Sequence, residues 1–215
     1  NTTADNNTAV GQAAMQANTT GAGNTAVGTF TLDANTTGAT NTAIGYAALS
    51  ANTTATSNVA VGNTALLANT TGDMNIAVGS GALTSNVAGD RSVAIGHNAL
   101  TTQNPSGNAD MYNIGIGLNA GFAVTTGTEN VLIGGLAGDA LTNGGQNVAV
   151  GHAALSAEDG HGQNVAIGYL ALVAQNAGAT AYNTAVGSQA GAAVTTGVQN
   201  TFVGGLAGDG TDDGT

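Results

Sequence analysis

One pentapeptide, Asn-Thr/Val-Ala-Val/Ile-Gly, returns along the whole chain, and its spacing limits the possible folds more than any other feature. Its closing glycines are Gly11, Gly28, Gly45, Gly62, Gly79, Gly96, Gly117, Gly134, Gly151, Gly168, Gly187 and Gly204. They stand 17 residues apart except from Gly96 to Gly117, where the gap is 21, and from Gly168 to Gly187, where it is 19. Later copies keep their phase, so the exceptions read as whole insertions. They hold Asn104-Pro105-Ser106-Gly107 and Asn176-Ala177-Gly178-Ala179, compositions that make turns and bulging loops. A longer similarity sits on top: AGFAVTTGTENVLIGGLAGD at 120–139 returns 70 residues later as AGAAVTTGVQNTFVGGLAGD at 190–209, as when several coils duplicate together.

Inside one copy the period is two. In Asn147-Val148-Ala149-Val150-Gly151, Val148 and Val150 point to one face and Ala149 to the other. The Val150 position is β-branched in every copy, from Val10 and Val27 to Val186 and Val203, which favours a strand and predicts an interior row. Three residues after the glycine a second column, Ala14, Ala48, Ala65 and onward to Ala207, broken only by Thr31, predicts a second short strand. Two strands and two turns use up the repeat, so each copy is one coil. The expected fold is all-β: one parallel β-solenoid domain over 1–215, a left-handed β-roll of about twelve coils. Stacking at about 4.8 Å per coil gives a rod of roughly 55 to 60 Å. The middle strand position is Ala in most copies, with Gly115, Leu132 and Phe202 as exceptions. It predicts a smooth apolar stripe on the outside, suited to three chains packed about one axis.

Composition narrows the partners. The chain has 215 residues with 35 glycines, 6% charged and 3% aromatic residues, so any core is thin. One proline and evenly spaced β-branched residues argue against a disordered linker. The net charge of −11 is set against a single base, Arg91, which leaves no footprint for phosphate backbones and excludes nucleic acid and anionic membrane surfaces as partners. No cysteine is present, compatible with an extracellular life without disulfides. No apolar run approaches the roughly 20 residues of a membrane span, so membrane insertion of this segment is not expected. The first residue is not Met and the last residues, Asp209 to Thr215, stop partway through a coil, so a segment of a longer fibre is expected.

The copies NTAIGYAAL (Asn41 to Leu49), RSVAIGHNAL (Arg91 to Leu100) and NVAIGYLAL (Asn164 to Leu172) resemble the YadA-like head repeat of trimeric autotransporter adhesins and the related repeats of bacteriophage tail fibres. The resemblance spans the chain, although 17 residues per coil is longer than those heads usually show. It implies a left-handed parallel β-roll with three chains side by side, displayed on a bacterial cell surface or a virion.

No residue set points to chemistry. His97 and His152 share the position after the glycine, three coils apart, and read as surface residues; a metal would need a ring of three imidazoles about a three-fold axis. His161 stands apart from them. Glu158 with Asp159, and Asp212 with Asp213, are the adjacent acidic pairs and read as solvated loop tips. Asp209 to Asp213 matches neither an EF-hand nor the glycine-rich calcium nonapeptide. GGLAGD at Gly134 and Gly204 recurs in phase with the coils and reads as a tight turn, not a phosphate loop. The sequons at Asn18, Asn35, Asn52 and Asn69 read as a ladder of hydrogen-bonded corner residues. Catalytic, cofactor-binding and metal residues are therefore expected to be none, and cofactors none. The expected function is a non-catalytic structural or adhesive module of an extracellular fibre, whose partners are itself, as homotrimer or fibre, and a host-surface glycan or protein receptor. The alternative is a ligand-binding solenoid for ice or carbohydrate, prompted by the aligned Thr rows of the first coils.

Overall fold

The computed structural model describes residues 3–210, and the chain divides into two units, Asn1–Met111 and Tyr112–Thr215. The described residues are all-β, with no helix. The first unit holds β1 (Thr8–Val10), β2 (Thr25–Val27), β3 (Thr42–Ile44), β4 (Val59–Val61), β5 (Ile76–Val78), β6 (Gly89–Asp90), β7 (Val93–Ile95) and β8 (Ala109–Asp110). The second holds β9 (Ile114–Ile116), β10 (Val131–Ile133), β11 (Val148–Val150), β12 (Val165–Ile167), β13 (Thr184–Val186) and β14 (Thr201–Val203). Each unit is a parallel β-solenoid in which one repeat makes one coil.

Pairing is parallel and in phase. Thr42, Ala43 and Ile44 lie opposite Val59, Ala60 and Val61 of the next coil, and Val148, Ala149 and Val150 opposite Val165, Ala166 and Ile167. The repeated pentapeptide is what forms each three-residue strand. Its closing glycine is required twice over. Gly62 sits at φ +143°, and a Cβ there would lie 2.5 Å from the carbonyl oxygen of Gly79 in the next coil.

Two expectations are corrected. The first is the second strand: the segment after the glycine is turn throughout. Its residues alternate handedness, with Ala47 and Leu49 both left-handed at φ 52° and 54°. The Ala47 N–H donates to Thr29 of the coil before, and the Leu49 N–H to Ala65 of the coil after. The backbone is thus paired from coil to coil without an extended strand. GGLAGD lies in this segment and is a tight turn, as expected.

The second correction turns the coil inside out. The strand-centre alanines Ala26, Ala43, Ala60, Ala77, Ala94, Ala149, Ala166 and Ala185 are fully buried. The β-branched residues beside them point out, with Ile44 39% and Ile167 38% exposed. Side chains alternate as expected, but in most coils the Leu on the facing segment leaves room only for Ala at this position. The interior instead combines the central Ala, the second Ala column, such as Ala48 and Ala65, and a large residue after it, such as Leu32, Leu49, Leu66, Leu83 and Leu100.

In two coils a larger strand-centre residue faces a glycine. Where the central Ala becomes Leu132, the inward Leu of the same coil becomes Gly138, whose Cβ would meet Leu132 at 2.7 Å. Phe202 and Gly208 repeat the exchange, with a 2.3 Å approach.

The rest of the interior is polar. Asn24, Asn41, Asn58 and Asn75 are fully buried at the strand entrances. Asn41 Oδ1 accepts from the Asn58 N–H at 2.9 Å, and Asn41 Nδ2 donates to the Ala55 carbonyl at 2.8 Å. A second column, Asn18, Asn35, Asn52, Asn69 and Asn86, stacks at the corner: Asn52 Nδ2 donates to Asn35 Oδ1 at 2.7 Å. The insertions fall in irregular segments, as expected. In the longer one Pro105 and Met111 pack against Gly89, and β6 pairs with β8.

Candidate functional site

Two features are candidates: the outward β-branched face and one polar corner of the second unit. On the face of the first unit, the column Val10, Val27, Ile44, Val61, Val78 and Ile95 runs through β1 to β5 and β7. A parallel column begins Thr8, Thr25, Thr42, Val59, Ile76 and Val93. Parallel, in-phase pairing makes these columns straight, so they form a continuous, mostly apolar strip and not scattered surface residues. The second unit repeats the strip from Ile114 and Ile116 to Thr201 and Val203. The apolar stripe expected on the Ala residues therefore exists on the opposite side of each strand, in larger side chains.

The polar corner arises where the second Asn column is interrupted. Seven residues after each of the first eleven closing glycines the chain places Asn18, Asn35, Asn52, Asn69, Asn86, Gln103, Val124, Leu141, Glu158, Gln175 and Val194. In ordinary coils this Asn donates to the carbonyl three residues on, as Asn35 Nδ2 does to Gly38 at 3.0 Å. At Glu158 the same i to i+3 contact reverses: Glu158 Oε1 accepts from the His161 N–H at 3.0 Å and lies 3.2 Å from His161 Nδ1. Glu158 is fully buried, not a solvated loop tip. Its Oε2 is buried without a hydrogen-bond partner. Asp159, exposed, brings a third donor, and ligand atoms of Glu158, Asp159 and His161 lie within 4.8 Å of one another.

A polar recess of about 360 Å³ opens beside His161, lined also by Thr128, Asn143, Gln146, Gln163 and Thr180. Glycines keep it open because backbones stack too closely for side chains: a Cβ on Gly162 would lie 2.0 Å from the Gly145 carbonyl. Gln163 Nε2 donates to Gln146 Oε1, and Gln146 Nε2 to Glu129 Oε2, both at 2.9 Å, which fixes one wall.

The other singled-out residues are not brought together. His97 is exposed in the first unit; His152 is exposed in the second and stacks on Tyr169 at 5.9 Å. Asp139 is partly buried, and desolvation raises its pKa above the usual 3.8 against the opposing pull of a backbone hydrogen bond and of His152. Asp212 and Asp213 lie outside the described residues. The sequon asparagines are buried and committed to the corner ladder. The inner Thr row is committed too: Thr19, Thr36, Thr53 and Thr70 each donate to a carbonyl of the next coil. Only Thr20, Thr37 and Thr54 present an exposed row. Among the described residues no helix is long and apolar enough to cross a membrane. Comparison with protein-family models, with characterised proteins and with solved structures finds no match for this chain.

Glu158 and His161 leave a signal in the sequence that pairwise motif reading misses. Aligned coil by coil, Glu158 is the one carboxylate in a column of Asn, Gln, Val and Leu, and His161 stands where Gly127 and Gly144 precede it.

Proposed function

We propose that the chain is a non-catalytic structural and adhesive module of an extracellular fibre, in which copies associate side by side, three to an assembly, through the outward β-branched face. The observation that carries this reading is the strip itself. Val and Ile stand in aligned columns that are all at least partly exposed, with Ile44, Ile76, Ile95 and Ile167 at 38% to 39% and most of the others, such as Val61 and Val78, half-buried. Burying such a strip contributes roughly 25 cal/mol per Å² of apolar area, and a flat in-phase ladder offers a partner a regular surface to pack on. The resemblance of the pentapeptide to the YadA-like head repeat supports the same arrangement, on a bacterial surface or a virion, with a host glycan or protein as receptor.

Light scattering of the purified chain tests it. A mass near three times the 20.4 kDa of one chain is expected. The double variant Val61→Asp, Val78→Asp should fall to a single-chain mass while keeping its β circular-dichroism spectrum, because both positions face outward. A wild-type chain that is monomeric at high concentration would overturn the assembly. The alternative, a ligand-binding solenoid for ice, would need the exposed Thr20, Thr37 and Thr54 row, and thermal hysteresis lost in their Val variants would favour it.

A further inference from the structure

We propose that the Glu158–His161 corner of the second unit binds a divalent transition-metal ion, with Zn²⁺ the best match, through Glu158, His161 Nδ1 and Asp159. Four observations converge on it. The first is the burial of the Glu158 carboxylate, complete and with one oxygen lacking any partner. A buried carboxylate is costly unless a positive charge or a full set of donors meets it. The second is that the chain has no cationic side chain to spare: its single base, Arg91, is paired with Asp110 in the other unit. A cation from solution is therefore the charge that this corner has room to take up.

The third observation is that the fold does not need a carboxylate here. The adjacent coils place Leu141 and Gln175 at the same position, and both are buried. The corner therefore closes around an apolar or a neutral side chain as well, although Gln175 Nε2 is also left without a partner, so it is the charge at Glu158 and not the orphaned atom alone that sets this coil apart. The fourth is distance. Ligands bound to one tetrahedral zinc at 2.0 to 2.1 Å are about 3.3 Å apart, and His161 Nδ1 and Glu158 Oε1 already stand 3.2 Å apart. The reversed i to i+3 contact holds them there without the metal.

The donor set selects the ion. One imidazole nitrogen with carboxylate oxygens suits Zn²⁺, Co²⁺ or Ni²⁺, whereas Ca²⁺ takes six to eight oxygens that this corner lacks. Three protein ligands leave a zinc position to solvent, next to the recess that His161 lines. Bound metal would clamp the one corner of the second unit whose stacking residue is a carboxylate.

Isothermal titration with Zn²⁺ alone, on the whole chain, is the test, with Co²⁺ absorption as the spectroscopic readout. One equivalent per chain is expected, with a four-coordinate Co²⁺ spectrum. Glu158→Gln and His161→Gly should each abolish stoichiometric binding. Both should fold, since Gln103 and Gln175 occupy the first position in other coils and Gly127 and Gly144 the second. Thermal melts by circular dichroism check this, and only the native chain should gain in Tm on adding Zn²⁺. Asp159→Asn should weaken binding about tenfold, and His97→Ala with His152→Ala should leave it unchanged. Zn²⁺ binding that survives in His161→Gly, binding lost instead with His97 and His152, or no binding by the native chain would each overturn the site.

Discussion

At the scale of single residues, the buried amides carry more of the fold than their polarity suggests. Asn58 Oδ1 accepts the Asn75 N–H at 2.9 Å, and its Nδ2 donates to the Gly72 carbonyl at 2.9 Å. Asn58→Ala strands both backbone groups inside the coil, so denaturant unfolding should show a loss of about 2 to 4 kcal/mol. Thr20→Ala, at an exposed corner position, should stay within about 0.5 kcal/mol. Gly62→Ala meets both a positive φ and the Gly79 backbone, and should cost about 4 kcal/mol or more in the same assay. Asp139 gives a pH signature. Its folded pKa is raised, so the unfolded chain releases this proton first, and the site lowers stability as pH rises above about 3.8. Asp139→Asn should therefore melt higher than the native chain at pH 7, and the difference should shrink as pH falls to that value.

At the scale of the coil, interior volume is shared between positions on opposite walls. Leu132→Ala should cost about 2 to 5 kcal/mol, and Gly138→Leu alone should clash with Leu132. A Cβ at 138 would also lie 2.8 Å from Leu141, which is Asn in ordinary coils, so the cycle belongs in a Leu141→Asn background. There the double variant restores the ordinary Ala and Leu pair, and Leu49 and Leu155 show that Leu adopts the left-handed backbone of Gly138. A double-mutant cycle should give a favourable coupling of about 2 kcal/mol.

The same exchange explains what could be read in advance. Glycine spacing made the coil legible, because only a stacked backbone needs glycine at a fixed interval, and it located both insertions. Alternation revealed two strand faces but not which was inside. Size usually decides that in favour of Val and Ile, whereas here the far wall supplies the Leu and leaves room only for Ala. An Ala and Leu pattern predicts a strand after the glycine because it does not reveal alternating left- and right-handed backbone. The Glu158 and His161 pair is not legible along the chain, because its meaning lies in columns across coils and not in neighbouring residues.

At the scale of the whole molecule, two opposite tendencies meet. Each unit exposes a β-branched strip that favours association, while a net charge of −11 with one base makes copies repel one another. Screening at about 0.15 M salt shortens that repulsion to roughly 8 Å without weakening apolar contact. The assembled fraction seen by light scattering should therefore rise from low salt to physiological salt. The associating face exists only if the strand wall is turned with alanine inward and the β-branched residues outward. Circular dichroism of two neighbouring variants, Ala149→Asp and Val150→Asp, measures that directly. Ala149→Asp should lose the cooperative β transition while Val150→Asp keeps it; a charge tolerated at 149 and ruinous at 150 would mean that the wall is turned the other way.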